Sequence, residues 1–555
     1  MEFIPQINPL GNIWLSAFVA LLPIICFFLC LIVFKTKAYT AGFLTVIVAT
    51  LVALFVYKMP FIGAITSIFL GFLTGLWPIA WIIIAAIFLY KLSIKSGQFE
   101  IIKQSVMLIT PDHRIQVILI GFCFGAFLEG AIGFGGPVAI TAALLVGLGL
   151  RPLQAAGYCM IANTAPVAFG AVGIPIIAMA QSVGLSPDQI AAMVGKILTP
   201  LCFIVPFFII YLMDGIKGIK ETFPIIFVAA ASFTIAQYLT SNFIGAELPG
   251  IISAVFSLIC TTIAISMFKI KNIVRYDGKT DFNDIEKLKL GKIIYAWSPF
   301  ILLIIFVVIW SNHSFQVFVK ENLAFTNLKI SFSALTGDLQ IFKPSLVVEG
   351  QKSGVQALFM SIPLISTAGT AIFFAAICSI FVLKVKPSDA VSCFSATIKE
   401  MALPCLTIGL VVAFAYITNY SGASSTLGLA FSQTGKAFTF FSPIIGWIGV
   451  FLTGSDTSAN LLFGALQQAT AIKLQMQDTL FLAANSTGGV VGKMISPQSI
   501  AVACAAVGLV GKESDLFKFT IKYSIIMIIL IGLWISFIAY FMPAIIPDSV
   551  AVKIS

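Results

Sequence analysis

Apolar runs of about twenty residues recur along almost the whole chain, and they restrict it more than any other feature does. A helix needs about 20 mostly apolar residues to cross the hydrocarbon core of a bilayer. Stretches near 13–34, 38–57, 61–90, 153–182, 191–213, 222–240, 243–268, 293–311, 357–383, 401–419 and 523–546 meet or approach that length. Longer ones lie near 115–150, 424–472 and 480–510. Of the 555 residues, 59% are hydrophobic and 10% charged, where a soluble domain carries about 25% charged residues. Such a chain cannot cover a water-facing surface with polar groups. Lipid is its solvent, and an all-α polytopic membrane protein is the fold class that follows. The first run lacks a basic segment ahead of it and reads as a retained helix, not a cleaved leader.

Charge sets the order of the crossings. The net charge of +10 belongs to short loops, as the positive-inside bias requires, and implies no nucleic-acid partner. Basic clusters at Lys35/Lys37, Lys91–Arg114, Lys217/Lys220, Lys269–Lys292, Lys384–Lys399 and Lys512–Lys522 all fall on the cytoplasmic side only under one condition. The stretch 115–150 must enter from the cytoplasm, turn and leave on the same side, with Arg151 as a cytoplasmic anchor. The same count makes 438–472 a re-entrant hairpin entering from outside. About twelve true crossings remain, with both termini outside. The organisation expected is a first half over 1–268 with hairpin 115–150, a basic cytoplasmic loop over 269–292, and a second half over 293–555. The second half holds an external loop at 312–356, read either as a strand-like flap near Leu328–Phe332 or as a plain linker, and hairpin 438–472.

The two halves resemble each other. FLEGAIGFGGPVAI (127–140) and IANTAPVAFGAVGIP (161–175) match FLTGSDTSANLLFG (451–464) and AANSTGGVVGKMISP (483–497). Phe127 aligns with Phe451, Asn163 with Asn485, Gly170 with Gly492 and Pro175 with Pro497. Repeats whose hairpins enter from opposite faces are the mark of inverted-topology carriers. Glycine and proline after each asparagine predict broken helices at mid-span, whose ends bind anions through free N–H groups and cations through free carbonyls.

Few polar groups lie at membrane depth, where ionisable residues are functional by default. Glu129, in the first hairpin, is a candidate proton carrier or a turn-holding carboxylate. Asp456, in the second, is a candidate for proton coupling, for orienting a substrate hydroxyl, or for capping a helix. Asn163, Thr164, Ser455, Thr457, Asn485 and Ser486 offer donors and acceptors, or hold helices together. Lys493 can neutralise a substrate carboxylate, pair with a buried acid, or snorkel to water. Gln498 is a weaker substrate-binding candidate, and Gly133, Gly135 and Gly136 are substrate-binding candidates through a tight turn with close backbone approach, or serve helix packing. The ten cysteines are scattered without a CxxC pair, and both histidines, His113 and His313, fall in polar loops. Nothing here calls for a metal or a cofactor, and no nucleophile–base set points to an enzyme.

The runs over 125–176 and 451–523 resemble the lactate permease family of bacterial secondary transporters. The resemblance implies proton symport of L-lactate, with D-lactate and glycolate, across the bacterial inner membrane by a multi-pass protein. The hairpins and broken helices also look like the broader ion-transporter superfamily, in which a mobile transport domain moves against a scaffold. The alternative is a sodium- or proton-coupled carrier of another small organic anion. The sequence leaves substrate preference open, and a homo-oligomer is left open too.

Overall fold

The computed structural model describes residues 2–107, 109–133, 136–268, 270, 272–276, 288–332, 337, 339–344, 352–356 and 358–549. Eleven helices among these are long and apolar enough to cross a membrane, or twelve if the bent pair Pro152–Ala162 and Val167–Val183 is one crossing. The chain is an all-α multi-pass membrane protein with small strands at one end.

Length alone misstates several elements. The helix Pro187–Phe243 has 57 residues and, extended, would be about 85 Å long, far more than the roughly 30 Å of a hydrocarbon core. It folds back at Asp214 and Gly215, where the helical dihedrals fail (Gly215 φ 61°, ψ −155°). Phe203 packs edge-on against Phe227, and Phe207 packs at a tilt against Phe223, so the two arms run antiparallel. They are the two crossings that Lys217 and Lys220 separate in the sequence.

The arms His113–Ala131 and Gly136–Gly147 also fold onto each other. Gly121 faces Leu145 and Gly125 faces Thr141, an antiparallel pairing that closes a first hairpin. The arms Phe438–Thr453 and Asp456–Lys473 form the second hairpin, with Gly449 against Ala459 and Ser442 bonded to Gln467. The base of the first hairpin feeds directly into Pro152–Ala162, the near half of the bent crossing. The returning arm of the second runs along the far half, Gly170–Val183, from Asn460 at the Pro175 carbonyl to Gly464 at Met179 and Val183, so its base points to the far end. The bases therefore sit at opposite ends of one crossing, and the tips meet between them.

Small residues let backbones touch where helices cross. Gly71 and Gly75 lie against the backbone of Val412, Ala413 and Gly409, joining Phe61–Thr74 to Pro387–Ser421. Gly446, Gly488 and Gly492 do the same between the second hairpin's first arm and Asp478–Lys493, and no side chain larger than hydrogen fits there.

One region departs from the sequence-based expectation. His113 is not in a polar loop. It opens the first hairpin, is buried, and its Nδ1 accepts the Tyr276 amide at 3.0 Å. His313 opens the helix His313–Asn322. Beside His113, Arg114 is fully buried rather than a loop charge. It binds Asp112, Asp214 at 2.7 Å, Glu221 at 2.8 Å and the Asn272 carbonyl at 2.8 Å. These bonds tie the hairpin base to the fold-back at 214–215. Between 312 and 363, Asn327–Ser331 pairs antiparallel with Phe359–Pro363, and Gln340–Pro344 pairs with Lys352–Val355 and in parallel with Glu2–Phe3. Of the basic loop, 269, 271 and 277–287 lie outside the described residues.

Candidate functional site

The two repeats break their helices differently. In the first, the helix stops at Ala162, Asn163 follows as its C-cap, and a short 3-10 turn covers Val167–Phe169. Ala171, Val172 and Gly173 then take left-handed dihedrals (φ 43°, 58° and 75°), rare for alanine and strained for valine. Tertiary contacts hold them: the Gly173 Cα lies against the Ala246 carbonyl, leaving no room for a Cβ, and the Ala171 methyl sits over Gly133. In the second repeat the helix runs unbroken through Asn485 and Ser486 to Lys493 and breaks only at 494–496, before Pro497. The expectation of an asparagine at each break holds for Asn163 alone.

A cavity of about 70 Å³ lies where the hairpin tips and both breaks converge. That is room for several waters, and so for an acid of a few carbons. Glu129, Gly133, Ser455, Asp456, Thr457, Lys493 and Gln498 line it. Glu129 (2% exposed) and Lys493 (7% exposed) form a buried ion pair of 2.6 Å, one residue from each repeat. The Asn163 amide donates to the other Glu129 oxygen at 3.3 Å. Gly170 presses on the same carboxylate: a Cβ there would stand 2.9 Å from Oε1.

Asp456 begins the second arm of its hairpin, but the cap is Ser455, whose hydroxyl accepts the Ser458 amide. Asp456 Oδ2 receives Ser486 Oγ at 2.7 Å and Asn460 Nδ2 at 3.3 Å. Its Oδ1, buried against Gly489, has no hydrogen-bond partner among the described residues. A carboxylate oxygen without a donor inside protein is costly.

Among the other sequence candidates, Thr164 shares with Asn163 and Lys493 a neighbouring void of about 10 Å³, the size of one water. Asn485 and Ser486 do not line the main cavity; they reach Asp456 from behind, Ser486 directly and Asn485 by way of Asn460. Gly136 starts the second arm of the first hairpin in open space, as far as the described residues go, and Gly135 lies outside them. Sequence reasoning missed Ser499 and Val502 in the cavity wall. Val502 lies four residues after Gln498 on the helix Pro497–Ala506, a spacing that shares one face and would have found it; the spacing of one residue gives no such signal for Ser499. Near the site, the turn Gly245–Leu248 presses on the left-handed segment. There, burial and the neighbouring Asp188 carboxylate push Glu247 up to about 7.

The chain is similar in sequence to known proteins. The L-lactate permease family model matches residues 16–542. The chain is 52% identical over 546 residues to an L-lactate permease of Escherichia coli (strain K12), covering 97% of this chain and 98% of that one. It is 50% identical to the glycolate permease GlcA of the same strain, covering 95% and 96%. It is 46% identical to an L-lactate permease of Bacillus subtilis (strain 168), covering 96% and 97%. A family match across nearly the whole length, with relatives at this identity, is decisive: the chain belongs to the L-lactate permease family.

Proposed function

We propose that this protein carries L-lactate, together with D-lactate and glycolate, across the bacterial inner membrane by proton symport. The family membership supports the substrate class, and the chain's own residues supply the coupling. The observation that carries the reading is the buried Glu129–Lys493 pair in the wall of the cavity. Lys493 has one positive charge. In the empty carrier Glu129 uses it. An arriving 2-hydroxycarboxylate brings a second carboxylate to the same ammonium. Two carboxylates around one ammonium leave an uncompensated negative charge in a site that cannot solvate it. The anion therefore binds together with a proton on Glu129, and neither travels alone.

The rest of the cavity reads both ends of the substrate. The ten-residue helix Pro497–Ala506 begins at the cavity, with Gln498 and Ser499 in its wall, and the N-terminus of a helix favours a carboxylate. Asp456 supplies an acceptor for the 2-hydroxyl. A symporter of this kind opens alternately to either side by moving one group of helices past another. The hairpins, the bent crossing and the helices packed on them are the natural moving body, and both termini lie outside the cell.

The test is uptake of labelled L-lactate into proteoliposomes holding the purified protein. An inward proton gradient should drive accumulation, sodium at fixed pH should add nothing, and glycolate should compete. Accumulation that needs sodium and ignores the proton gradient would replace this reading with a sodium-coupled one.

A further inference from the structure

We propose that Gln467 and Ser442 are positioning residues for Asp456, acting through a one-way chain of buried side-chain hydrogen bonds that runs Ser442, Gln467, Asn485, Asn460, Asp456. The inference rests on the reading of Asp456 as acceptor of the substrate hydroxyl. It adds two residues outside the cavity wall.

The chain is continuous. Ser442 Oγ donates to Gln467 Oε1 at 2.8 Å, and Gln467 Nε2 donates to Asn485 Oδ1 at 3.1 Å. Asn485 Nδ2 donates to Asn460 Oδ1 at 2.9 Å, and Asn460 Nδ2 donates to Asp456 Oδ2 at 3.3 Å. Ser442, Gln467, Asn460 and Asn485 are completely buried. An amide can be turned over without changing its shape, so its direction has to come from its partners. Here both ends are fixed by groups that only accept. Gln467 Nε2 also donates to the Ser442 carbonyl at 3.0 Å, and Asn460 Nδ2 to the Pro175 carbonyl at 3.1 Å. Each amide therefore points its NH2 group along one path, and turning any one over sets acceptor against acceptor.

The consequence falls on Asp456. Asn460 and Ser486 both donate to Oδ2, which leaves Oδ1 as the oxygen with acceptor capacity. The Asn460 bond to Pro175 also ties this orientation to the bent crossing of the first repeat. Buried polar chains of this sort are worth having only when every member is satisfied, because a half-made one strands polar groups.

The direction of the chain gives a test that mere packing would not pass. Gln467→Leu interrupts the chain. Gln467→Glu does more at a pH where the introduced acid is ionised, because a carboxylate at 467 cannot donate. Asn485 must turn over to meet it, then Asn460, which brings the Asn460 oxygen against the Pro175 carbonyl and Asp456. The readout is the preference for L-lactate over propionate, the same acid without its hydroxyl, measured as KM for each with the full-length protein in proteoliposomes. Gln467→Leu should reduce that preference about tenfold, at a maximal rate within about twofold of the parent, and Gln467→Glu should reduce it further. Ser442→Ala, which trims one hydroxyl, should reduce it about threefold, and it carries the test if the Gln467 variants do not reach the membrane. An unchanged preference in these variants, alongside its loss in Asp456→Asn, overturns the chain and leaves the role of Asp456 standing. An unchanged preference in Asp456→Asn overturns the reading on which the inference rests.

Discussion

The two repeats share a plan and divide the chemistry. The alignment that pairs Phe127 with Phe451 sets Thr453 opposite Glu129 and Ile132 opposite Asp456; the one that pairs Gly170 with Gly492 sets Ala171 opposite Lys493. Each of these three charges at the cavity therefore has an uncharged counterpart in the other repeat. The first repeat contributes the acid and a strained, left-handed break. The second contributes Lys493, Asp456 and an intact helix behind them. On the proposed mechanism, the loss of symmetry in charge is what lets one anion and one proton bind together. Pairing Glu129 with Lys493 across the repeats also makes each charge depend on the other half of the molecule.

That division can be broken from either side, and the largest effect should come from the base. Lys493→Met leaves Glu129 buried without its cation, a change that costs about 3–5 kcal/mol when a buried pair is halved. Lactate uptake should fall by more than about a hundredfold. Adding Glu129→Gln should restore thermal stability in detergent without restoring uptake. Recovery of transport in the double variant would show that the pair is only structural.

The equivalent glycines sharpen the contrast. Gly170→Ala places a methyl 2.9 Å from Glu129 Oε1, so it should reduce uptake about tenfold while costing little stability. Gly492→Ala drives a methyl into the Trp447 carbonyl, and should lower the melting temperature by destabilising the fold by about 1–3 kcal/mol. Uptake assays paired with melting curves check both. Equal effects on activity and stability at the two positions would contradict a functional split between the breaks.

The smallest expected effect lies beside the first break. Glu247 is held up to about 7 by burial and Asp188, above its ordinary value of 4.5. The folded protein then binds a proton that the unfolded chain has released. Stability contributed by this group is complete below about pH 4.5 and declines as pH rises through about 7. Glu247→Gln should flatten the dependence of melting temperature on pH across that window, with uptake little changed. A slope identical to that of the parent would remove Glu247 from the account.

Much of this arrangement is legible in the sequence, and the rest is not for physical reasons. The hairpins emerge from charge counting, because a wrong turn reverses the sign of every later loop. The fold-back inside Pro187–Phe243 is legible from Lys217 and Lys220, which interrupt two apolar runs. Glu129, Asp456 and Lys493 stand out because ionisable groups are rare at membrane depth. The asymmetry of the breaks is not legible. Pro175 and Pro497 align, yet Ala171 and Val172 have no intrinsic preference for left-handed dihedrals, and distant contacts of the segment, Ala171 on Gly133 and Gly173 on Ala246, accompany them. The burial of Arg114 is hidden too, since Asp214 and Glu221 reach it from far along the chain, 100 and 107 residues away. The amide chain behind Asp456 joins positions on three helices, and no local pattern announces it.

The central claim is that the single ammonium of Lys493 cannot serve Glu129 and the substrate carboxylate together unless Glu129 carries a proton. Glu129→Gln, neutral at every pH, tests it most directly in proteoliposomes loaded with lactate and then given either labelled lactate or a proton gradient. Exchange of labelled for unlabelled lactate should persist, at roughly a tenth of the parent rate or better, while the proton gradient should drive no accumulation. Accumulation of lactate driven by an imposed proton gradient in this variant would contradict the account.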